Sequence, residues 1–304
     1  MSLVGALRGK GPSGFGYDST AEDVTEGLDL TGRTILVTGC NSGLGLETAR
    51  VLALRGARVV GAARTEEKAR EALAPFAGEH LPVACELSEP ASVRAAVQVV
   101  AEKAGPLDAI IANAGIMALP ERNVSHGLEL QFLTNHVGHF LLVTGLLDRL
   151  APTARVVMLS STAHTNTYAE GIRLDDLDAS RGYTPWGAYG QSKLANLLFA
   201  KHLATRLPAG QTANSLHPGV IWTNLGRHMN PVVGFAATLI SPLFLKTIPA
   251  GASTQTYVAT HPDVAATTGE YFADCNIAKP SAHGRDAALA EALWTKTEEL
   301  VAAL

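Results

Sequence analysis

The chain has 304 residues, of which 47% are apolar and 17% charged, and its formal net charge is −4. This length suffices for one large α/β domain or two small ones, and the absence of a basic block argues against a nucleic-acid partner. The cysteines, Cys40, Cys85 and Cys275, are too far apart for a metal motif or a disulfide framework, which favours a reducing, cytoplasmic location.

The first residues carry no apolar run of the kind found in secretory signals. Residues 1–30 are predicted to form an N-terminal arm, loose and rich in glycine and serine up to about residue 20. The longest apolar run, Pro231 to Leu245, contains Pro242 and is too short to span a bilayer. No linker interrupts the remainder, so residues 31–304 are predicted to form one domain.

Short apolar runs rich in β-branched residues alternate with helical periodicity along the chain. The predicted strands are Thr34–Thr38, Ala57–Ala62, Leu81–Cys85, Leu107–Ala112, Arg155–Leu159, Thr212–Leu216 and Gly269–Phe272. The predicted helices are Leu46–Leu54, Glu66–Leu73, Pro90–Lys103, Gly127–Leu150, a segment with Tyr189 at its start, Ala250–Thr260 and Asp286–Leu300. The pattern predicts an α/β fold, a single-domain Rossmann fold with a doubly wound parallel sheet of about seven strands and helices on both faces.

A glycine-rich turn, Thr38-Gly39-x-x-x-Gly43-x-Gly45, joins the first strand to the first helix. Glycines let a pyrophosphate approach the backbone, and the helix N-terminus offers free N–H groups. We interpret the turn as a dinucleotide site, with an ordinary strand-to-helix turn as the alternative.

The second strand ends in Ala63-Arg64, where an NAD enzyme usually has an acid for the ribose hydroxyls. A guanidinium suits a 2′-phosphate instead, so Arg64 points to NADP(H). The alternative is a surface arginine at the end of the strand that binds no ligand.

Tyr189 and Lys193 lie four residues apart, which places both side chains on one face of a helix. A nearby ammonium favours the phenolate, so we expect a lowered pKa for Tyr189 and proton exchange with a carbonyl or an alcohol. The alternative is an ordinary helix with an aromatic residue and a surface lysine.

Further motifs make the chain resemble a classical short-chain dehydrogenase/reductase. They appear in family order and comprise Asn113-Ala114-Gly115, Asn135, Ser160-Ser161, Tyr189-x-x-x-Lys193 and Pro218-Gly219 followed by Thr223. Within that family the chain is most similar to the retinol-dehydrogenase-like branch and its chloroplast Tic32-like proteins. The segments that carry this similarity are Ser19–Thr25, Glu129–Phe132, Thr134–Leu142, Ala213–Gly219, Gly269–Phe272 and Asn276–Pro280.

The resemblance implies a role for each matching residue. Tyr189 is the expected acid/base, Lys193 its partner and ribose ligand, Ser161 the substrate-oxygen ligand, and Asn135 the support of a water relay. The expected cofactor-binding residues are Gly39, Asn41, Ser42, Gly43, Leu44, Gly45, Arg64, Glu86, Leu87, Asn113, Ala114, Gly115, Tyr189, Lys193, Pro218, Gly219, Ile221 and Thr223. Glu86 and Ala112 depart from the aspartate and asparagine frequent in the family, which affects only the adenine site.

No metal site is predicted, because His136 and His139 are expected to pack in the core and no acid or cysteine completes a set. His164 is a weaker candidate for the substrate pocket. Residues 228–250 are expected to form an apolar lid over a lipophilic or aromatic substrate, with a core or dimer-contact helix as the alternative.

The resulting hypothesis is an NADPH-dependent reductase of aldehydes or ketones, which runs in reverse as an alcohol dehydrogenase. The resemblance also implies a homodimer or homotetramer. The competing hypothesis is an NADP(H)-binding sensor or scaffold of the Tic32-like kind, linked to a chloroplast import machine and calmodulin. The terminal helix lacks the basic face expected of a calmodulin target, which counts against it.

Overall fold

The computed structural model of the chain describes residues 5, 7, 9–221 and 245–304. Within these residues the central sheet has eight strands, in the order β10-β9-β8-β7-β4-β1-β2-β3. Its strands are β1 Thr34–Thr38, β2 Arg58–Ala63, β3 Leu81–Ala84, β4 Leu107–Ala112, β7 Leu150–Leu159, β8 Thr212–His217, β9 Tyr271–Ala273 and β10 Asn276–Ile277. Neighbours are parallel except β9 and β10, so the doubly wound Rossmann fold is confirmed, with one strand more than the expected seven.

A small hairpin, β5 Val124–Ser125 and β6 Leu128–Glu129, lies outside the main sheet. The helices are α1 Gly43–Leu54, α2 Glu66–Leu73, α3 Pro90–Lys103, α4 Leu130–Phe132, α5 Gly138–Gly145, α6 Pro185–Leu203, α7 Ile248–Gly251, α8 Ser253–Thr260, α9 Ala282–Arg285 and α10 Ala287–Ala303. A π-helical turn, Leu133–Val137, joins α4 to α5. Short 3₁₀ turns are formed by Asp23–Thr25, Leu147–Arg149, Thr162–Thr165 and Pro262–Val264.

Helices cover both faces of the sheet, because successive strand residues point to opposite sides. On one face, Leu36 belongs to the apolar core that α3, α5, α6 and α10 complete. On the other face, Ile35 and Val37 belong to a second core, completed by α1, α2 and α8. The sheet is therefore enclosed between two apolar cores.

The prediction of one long helix over Gly127–Leu150 is wrong at both ends. Its first residues form the hairpin instead, because His126 and Gly127 have φ of 51° and 73° and reverse the chain, pairing Val124 with Glu129. The Glu129 carboxylate then caps the helix by accepting a hydrogen bond from the Phe132 N–H. At the other end, Leu150 pairs with Leu107 and begins β7, five residues before the expected strand.

The helix with Tyr189 and the helix expected at Ala250–Thr260 also differ from their expected limits. The helix with Tyr189 begins at Pro185, where Thr184 accepts a hydrogen bond from the Gly187 N–H. The helix expected at Ala250–Thr260 is two helices, α7 and α8, and the first is capped by Thr247.

The N-terminal arm is packed, not loose, from about Ser13 onward. Ala21 is fully buried, and its N–H donates to the carbonyl of Pro249 at 2.9 Å. Thr25 accepts a hydrogen bond from Arg55 Nε at 3.0 Å, and the Ser13 N–H donates to Asn276 at 3.0 Å. These hydrogen bonds and the burial of Ala21 tie the segment to the domain.

Among the described residues, none of the helices has the length and apolarity needed to cross a bilayer. The lid expected at residues 228–250 falls largely on residues 222–244, which lie outside the described part of the chain. The segments at its two ends are adjacent, since Ile221 forms a parallel bridge with Lys246.

Candidate active site

Tyr189 and Lys193 lie on one face of α6, next to the carboxyl end of β7. The Lys193 side chain is buried, and its Nζ donates to the carbonyl of Leu159, the last residue of β7, at 3.1 Å. The same Nζ lies 5.8 Å from the centre of the half-buried Tyr189 ring. The spacing of four residues therefore places the phenol and the ammonium side by side, as expected.

The two serines after β7 have different environments. Ser160 is buried, and its hydroxyl donates to the Lys193 carbonyl at 2.7 Å, so it joins β7 to α6. Ser161 is half-buried, its Oγ accepts from the Ala163 N–H at 3.1 Å, and its hydroxyl is near enough to the Tyr189 phenol to lower the pKa of that phenol. Ser161 is therefore the serine that can share a substrate oxygen with Tyr189.

Asn135 lies in the π-helical turn and is held on several sides. Its Oδ1 accepts from the Ile116 N–H at 2.8 Å, and its Nδ2 donates to the Ile116 carbonyl and to Ser192 Oγ, both at 2.9 Å. A Cβ added to Gly115 would lie 3.0 Å from Asn135 Oδ1 and 3.4 Å from Lys193 Nζ. The backbone at Gly115 thus lies against both predicted site residues. Ser192 was not predicted, although it directly precedes Lys193 in the motif.

The pKa values of the central pair follow burial. Burial raises the pKa of Tyr189 to about 12, and the hydrogen bond from Ser161 acts in the opposite direction. The expected lowering of the Tyr189 pKa is therefore wrong for the protein alone. Burial lowers the pKa of Lys193 to about 8. Tyr189 consequently holds its proton at neutral pH and can donate it.

The glycine-rich turn between β1 and α1 has the shape that a dinucleotide pyrophosphate requires. A Cβ on Gly45 would lie 2.2 Å from the Gly39 carbonyl oxygen, so only glycine fits there. Gly43 has a φ of 54°, and no atom lies within 4 Å of the position of its missing Cβ. The side chain of Ser42, at the N-cap of α1, makes no capping hydrogen bond, so the N–H groups of the first turn stay available to a phosphate. Asn41 and Leu44 lie within this same turn.

Neighbouring strands fix the position of the turn. The N–H groups of Gly39 and Cys40 donate to the Ala62 carbonyl at 2.8 and 3.2 Å. Asn113 Nδ2 donates to the Thr38 carbonyl at 2.8 Å, while Thr38 Oγ1 accepts from the Asn113 and Ala114 N–H groups. Asn113 therefore ties β4 to β1, the position expected from the resemblance.

The residues expected near the adenosine follow β2 and β3. Arg64 is exposed directly after β2 and makes no hydrogen bond or ion pair with any other described residue. Glu86 follows β3, and its Oε1 accepts from the Ser88 N–H and hydroxyl. Leu87 is buried, and its carbonyl oxygen would lie 2.2 Å from a Cβ on Gly138 in α5. Leu87 therefore contributes backbone and packing, whereas Arg64 presents a free cation.

Pro218, Gly219 and Ile221 follow β8 on the other side of the sheet centre, and Thr223 lies outside the described residues. Gly219 has a φ of 97°, and a Cβ there would lie 2.5 Å from Lys246 Cδ. Lys246 is buried and forms an ion pair with Asp274 at 2.7 Å. Lys246 thus supports the loop after β8. Nothing in its sequence neighbourhood indicated this, because its partners are distant in the chain.

Gln255 is a second residue that the sequence did not reveal. It is fully buried on α8, and its Nε2 donates to Thr48 Oγ1 and, at 3.2 Å, to Asn113 Oδ1. Gln255 therefore connects α8 to α1 and to the turn. The one available signal was a polar residue inside a predicted helix.

The histidines near the site serve packing. His139 Nε2 lies 2.9 Å from Thr38 Oγ1, and its Nδ1 lies 2.8 Å from the Asn135 carbonyl. His136 Nε2 lies 3.1 Å from Thr297 Oγ1, and burial lowers the pKa of His136 to about 3 and of His139 to about 4. His164 is buried, with Nδ1 against the Ser161 carbonyl and Nε2 accepting from the Ser281 N–H. Both ring nitrogens of His164 are thus used within the protein.

The sequence and the fold match known proteins over nearly the whole chain. Residues 33–173 match the model of the short chain dehydrogenase family. The chain is 43% identical to short-chain dehydrogenase TIC 32 A, chloroplastic, of Brassica napus over 100% of both chains. It is 38% identical to retinol dehydrogenase 14 of Homo sapiens, covering 90% of this chain and 88% of that protein.

Solved structures agree with these sequence matches. An uncharacterized protein from Mycobacterium paratuberculosis superposes with a TM-score of 0.75 at 34% identity, over 94% of this chain and 98% of that one. A short chain dehydrogenase from Burkholderia cenocepacia in complex with NADP shares the fold, with a TM-score of 0.64, 22% identity and coverage of 80% and 96%. The chain belongs to the short-chain dehydrogenase/reductase family, in the branch of the TIC 32 proteins and the retinol dehydrogenases.

Proposed function

We propose that this oxidoreductase uses NADPH to reduce the carbonyl group of a lipophilic or aromatic aldehyde or ketone to an alcohol, reversibly. The observation that carries the proposal is the position of the Tyr189 ring, next to Ser161 and 5.8 Å from the Nζ of the buried Lys193. The dinucleotide turn lies at the carboxyl ends of the same parallel strands, where such sheets bind their cofactors.

The residues act on the oxygen of the carbonyl. The bound nicotinamide would supply the hydride that the carbonyl carbon receives. The Ser161 hydroxyl donates a hydrogen bond to the oxygen as negative charge develops there, and the Tyr189 hydroxyl delivers the proton. Lys193, the neighbouring cation, stabilises the tyrosinate that remains. Asn135 keeps the backbone near Lys193 in place, where a water relay can return the proton.

Arg64 supports the choice of NADPH over NADH. It follows Ala63 at the end of β2, and Ala62 holds the glycine-rich turn through two backbone hydrogen bonds. The guanidinium is therefore next to the turn, exposed, and free of any described acidic partner. A 2′-phosphate would be its natural partner, because arginine binds phosphate oxygens bidentately.

Replacing Arg64 by alanine should raise the Kd for NADPH about 10- to 100-fold, the effect of losing charge-assisted hydrogen bonds. The Kd for NADH should stay nearly constant, because that cofactor lacks the 2′-phosphate. Nicotinamide fluorescence titration measures both constants. Arg70→Ala is the matched control, since Arg70 is exposed on α2 and already paired with Glu66. An equal loss for both cofactors would reject the assignment of Arg64.

The proposed substrate is apolar because an exposed tryptophan lies beside Tyr189 and because the sequence expected to form the lid is apolar. Trp186 is 51% exposed one turn before Tyr189, and the two rings meet edge to face with centres 6.1 Å apart. The expected lid sequence is also apolar, with Phe235, Leu239 and Phe244 among its residues. Pockets lined in this way bind ligands with apolar bodies.

The test of the proposal is NADPH oxidation, followed at the nicotinamide absorbance, with aliphatic aldehydes, aryl ketones, retinal and steroid ketones. We expect turnover of at least one apolar carbonyl compound, slower turnover with NADH, and loss of turnover in Tyr189→Phe. Failure of every carbonyl, together with failure of the matching alcohols and NADP⁺, would contradict the proposed reaction.

The similarity to TIC 32 A supports a second candidate, an NADP(H)-binding sensor or scaffold. This candidate predicts tight NADPH binding with negligible turnover of any carbonyl in the same assay. The complete set of Tyr189, Lys193, Ser161 and Asn135 favours the enzyme. For the enzyme we propose a cytoplasmic homodimer or homotetramer, which light scattering after size-exclusion chromatography would measure.

A further inference from the structure

A cavity of about 770 Å³ lies at the amino ends of the central strands, on the edge opposite the dinucleotide turn. Arg33 precedes β1, Asp108 is the second residue of β4, and Thr212 begins β8, and all three line the cavity. The volume is in the range of cavities that hold small organic ligands. None of the residues of the proposed active site belongs to this lining.

Most of the cavity wall is apolar. Leu28 and Leu30 come from the N-terminal arm, Leu207 from the segment after α6, and Ala259 and Pro262 from the end of α8 and the turn that follows. A ligand that fills this space must therefore present a substantial apolar surface.

One guanidinium at the cavity has no acidic partner. Arg155 Nη1 donates to the carbonyls of Val258 and His261, at 3.2 and 2.7 Å, which fixes the position of the side chain. No carboxylate among the described residues forms an ion pair with it. Burial and, next, the positive charge of Arg33 lower the pKa of Arg155, as expected where two backbone carbonyls and no described acid face the guanidinium.

A buried hydroxyl lies across from Arg155 in the sheet. Thr212 is the register partner of Arg155 between β7 and β8, and it also lines the cavity. Thr212 Oγ1 is buried and has no hydrogen-bond partner in the described part of the chain. Buried hydroxyls nearly always find partners, so this one can donate to an acceptor from outside the chain, either a water molecule or a ligand in the cavity.

The acidic residues of the lining are already engaged. Asp108 Oδ1 lies 2.6 Å from Arg33 Nη1, and its Oδ2 accepts from the Thr34 N–H at 2.8 Å. Asp29 accepts from the Thr31 N–H at 2.9 Å. With Asp108 paired to Arg33, the remaining charges at the cavity are the Arg155 guanidinium and the Asp29 carboxylate, a balance that suits a monoanion better than a phosphate dianion.

We propose that this cavity binds a monocarboxylate with an apolar body, such as a medium-chain fatty acid. The carboxylate pairs with the Arg155 guanidinium and accepts a hydrogen bond from the Thr212 hydroxyl, while the hydrocarbon lies against Leu30, Leu207 and Pro262. Because the site is at the opposite edge of the sheet, occupancy does not block the dinucleotide turn.

Isothermal titration with sodium octanoate, on the full chain with and without saturating NADPH, tests this proposal. We expect saturable binding with a Kd on the order of 0.1 to 1 mM, similar in both conditions, as suits a ligand of this size. The uncharged analogue 1-octanol should bind at least about tenfold more weakly, because it forms no ion pair.

Two variants locate the site. Thr212→Val keeps the shape of the side chain and removes an unpartnered hydroxyl, so the variant should fold normally. It should raise the Kd for octanoate about fivefold. Arg155→Met should raise the Kd for octanoate more than about tenfold. The control is Arg94→Met, because Arg94 donates to the Val301 carbonyl away from the cavity, and it should leave the Kd unchanged.

Several results would overturn the proposal: no saturable binding at millimolar octanoate, equal affinity in Thr212→Val and the wild type, or octanol binding as tightly as octanoate. Octanoate that competes with NADPH or with the carbonyl substrate would place the ligand in the proposed active site instead. If Arg155→Met does not fold, the Thr212→Val and octanol comparisons decide the question alone.

Discussion

Tyr189→Phe is expected to lower kcat for carbonyl reduction about 10³-fold, within the range attributed to a positioned general acid. The substitution removes only the hydroxyl that Ser161 contacts, and the ring that packs against Trp186 remains. The Kd for NADPH should therefore change little. Single-turnover kinetics and cofactor titration on the same preparation separate the two effects.

Tyr168→Phe is the matched control for this experiment. The Tyr168 ring lies near Gly187 at the start of the same helix, and its buried hydroxyl has no hydrogen-bond partner among the described residues. Its kcat should stay close to that of the wild type. Wild-type turnover in Tyr189→Phe would show that another group donates the proton.

Lys193→Met should abolish most turnover and, at pH 7, should make the protein more stable. Burial lowers the pKa of Lys193 from its ordinary 10.5 to about 8, so folding at neutral pH works against a buried ammonium. Removing that cost is worth up to about 3 kcal/mol in the free energy of unfolding. The Leu159 carbonyl keeps a partner, because Asn196 Nδ2 also donates to it at 3.0 Å.

The gain in stability should depend on pH in a definite direction. Between pH 8 and 10.5 the unfolded chain keeps the Lys193 proton while the folded protein has lost it, so the wild type gains stability as pH rises. The difference between variant and wild type should thus be largest below pH 8 and shrink toward pH 10.5.

Denaturant unfolding of both proteins at pH 7 and pH 10 measures this difference. Lys201→Met on the same helix is the control, since Lys201 is only half-buried, and it should follow the wild type at both pH values. A Lys193→Met protein that is less stable than the wild type at pH 7 would contradict the prediction.

Much of this molecule could be predicted from its sequence, because the decisive signals are local. Strands such as Thr34–Thr38 are short runs rich in β-branched residues, and in the helices between them apolar residues recur with helical periodicity. Gly39, Gly43 and Gly45 identify the turn because the backbone there excludes a Cβ or takes a positive φ. The spacing of Tyr189 and Lys193 sets their adjacency on a helix without any tertiary contact.

The features that could not be predicted depend on contacts between segments that are distant in the sequence. The expected helix at Gly127–Leu150 failed because strand pairing replaced helical periodicity at both ends. The N-terminal arm proved to be packed because Ala21 meets Pro249, more than two hundred residues away. The supporting roles of Lys246 and Gln255 could not be predicted for the same reason.

The environment of the catalytic groups also depended on the tertiary structure. Spacing alone predicted a lowered pKa for Tyr189, whereas burial between α6 and the loop after β7 raises it to about 12. Likewise, only the structure shows that the Ser160 hydroxyl donates to the Lys193 carbonyl, whereas the Ser161 hydroxyl lies near Tyr189. The sequence by itself determined the fold, the family and the candidate site residues. The tertiary structure decided their protonation, because desolvation depends on which distant atoms exclude water from a site.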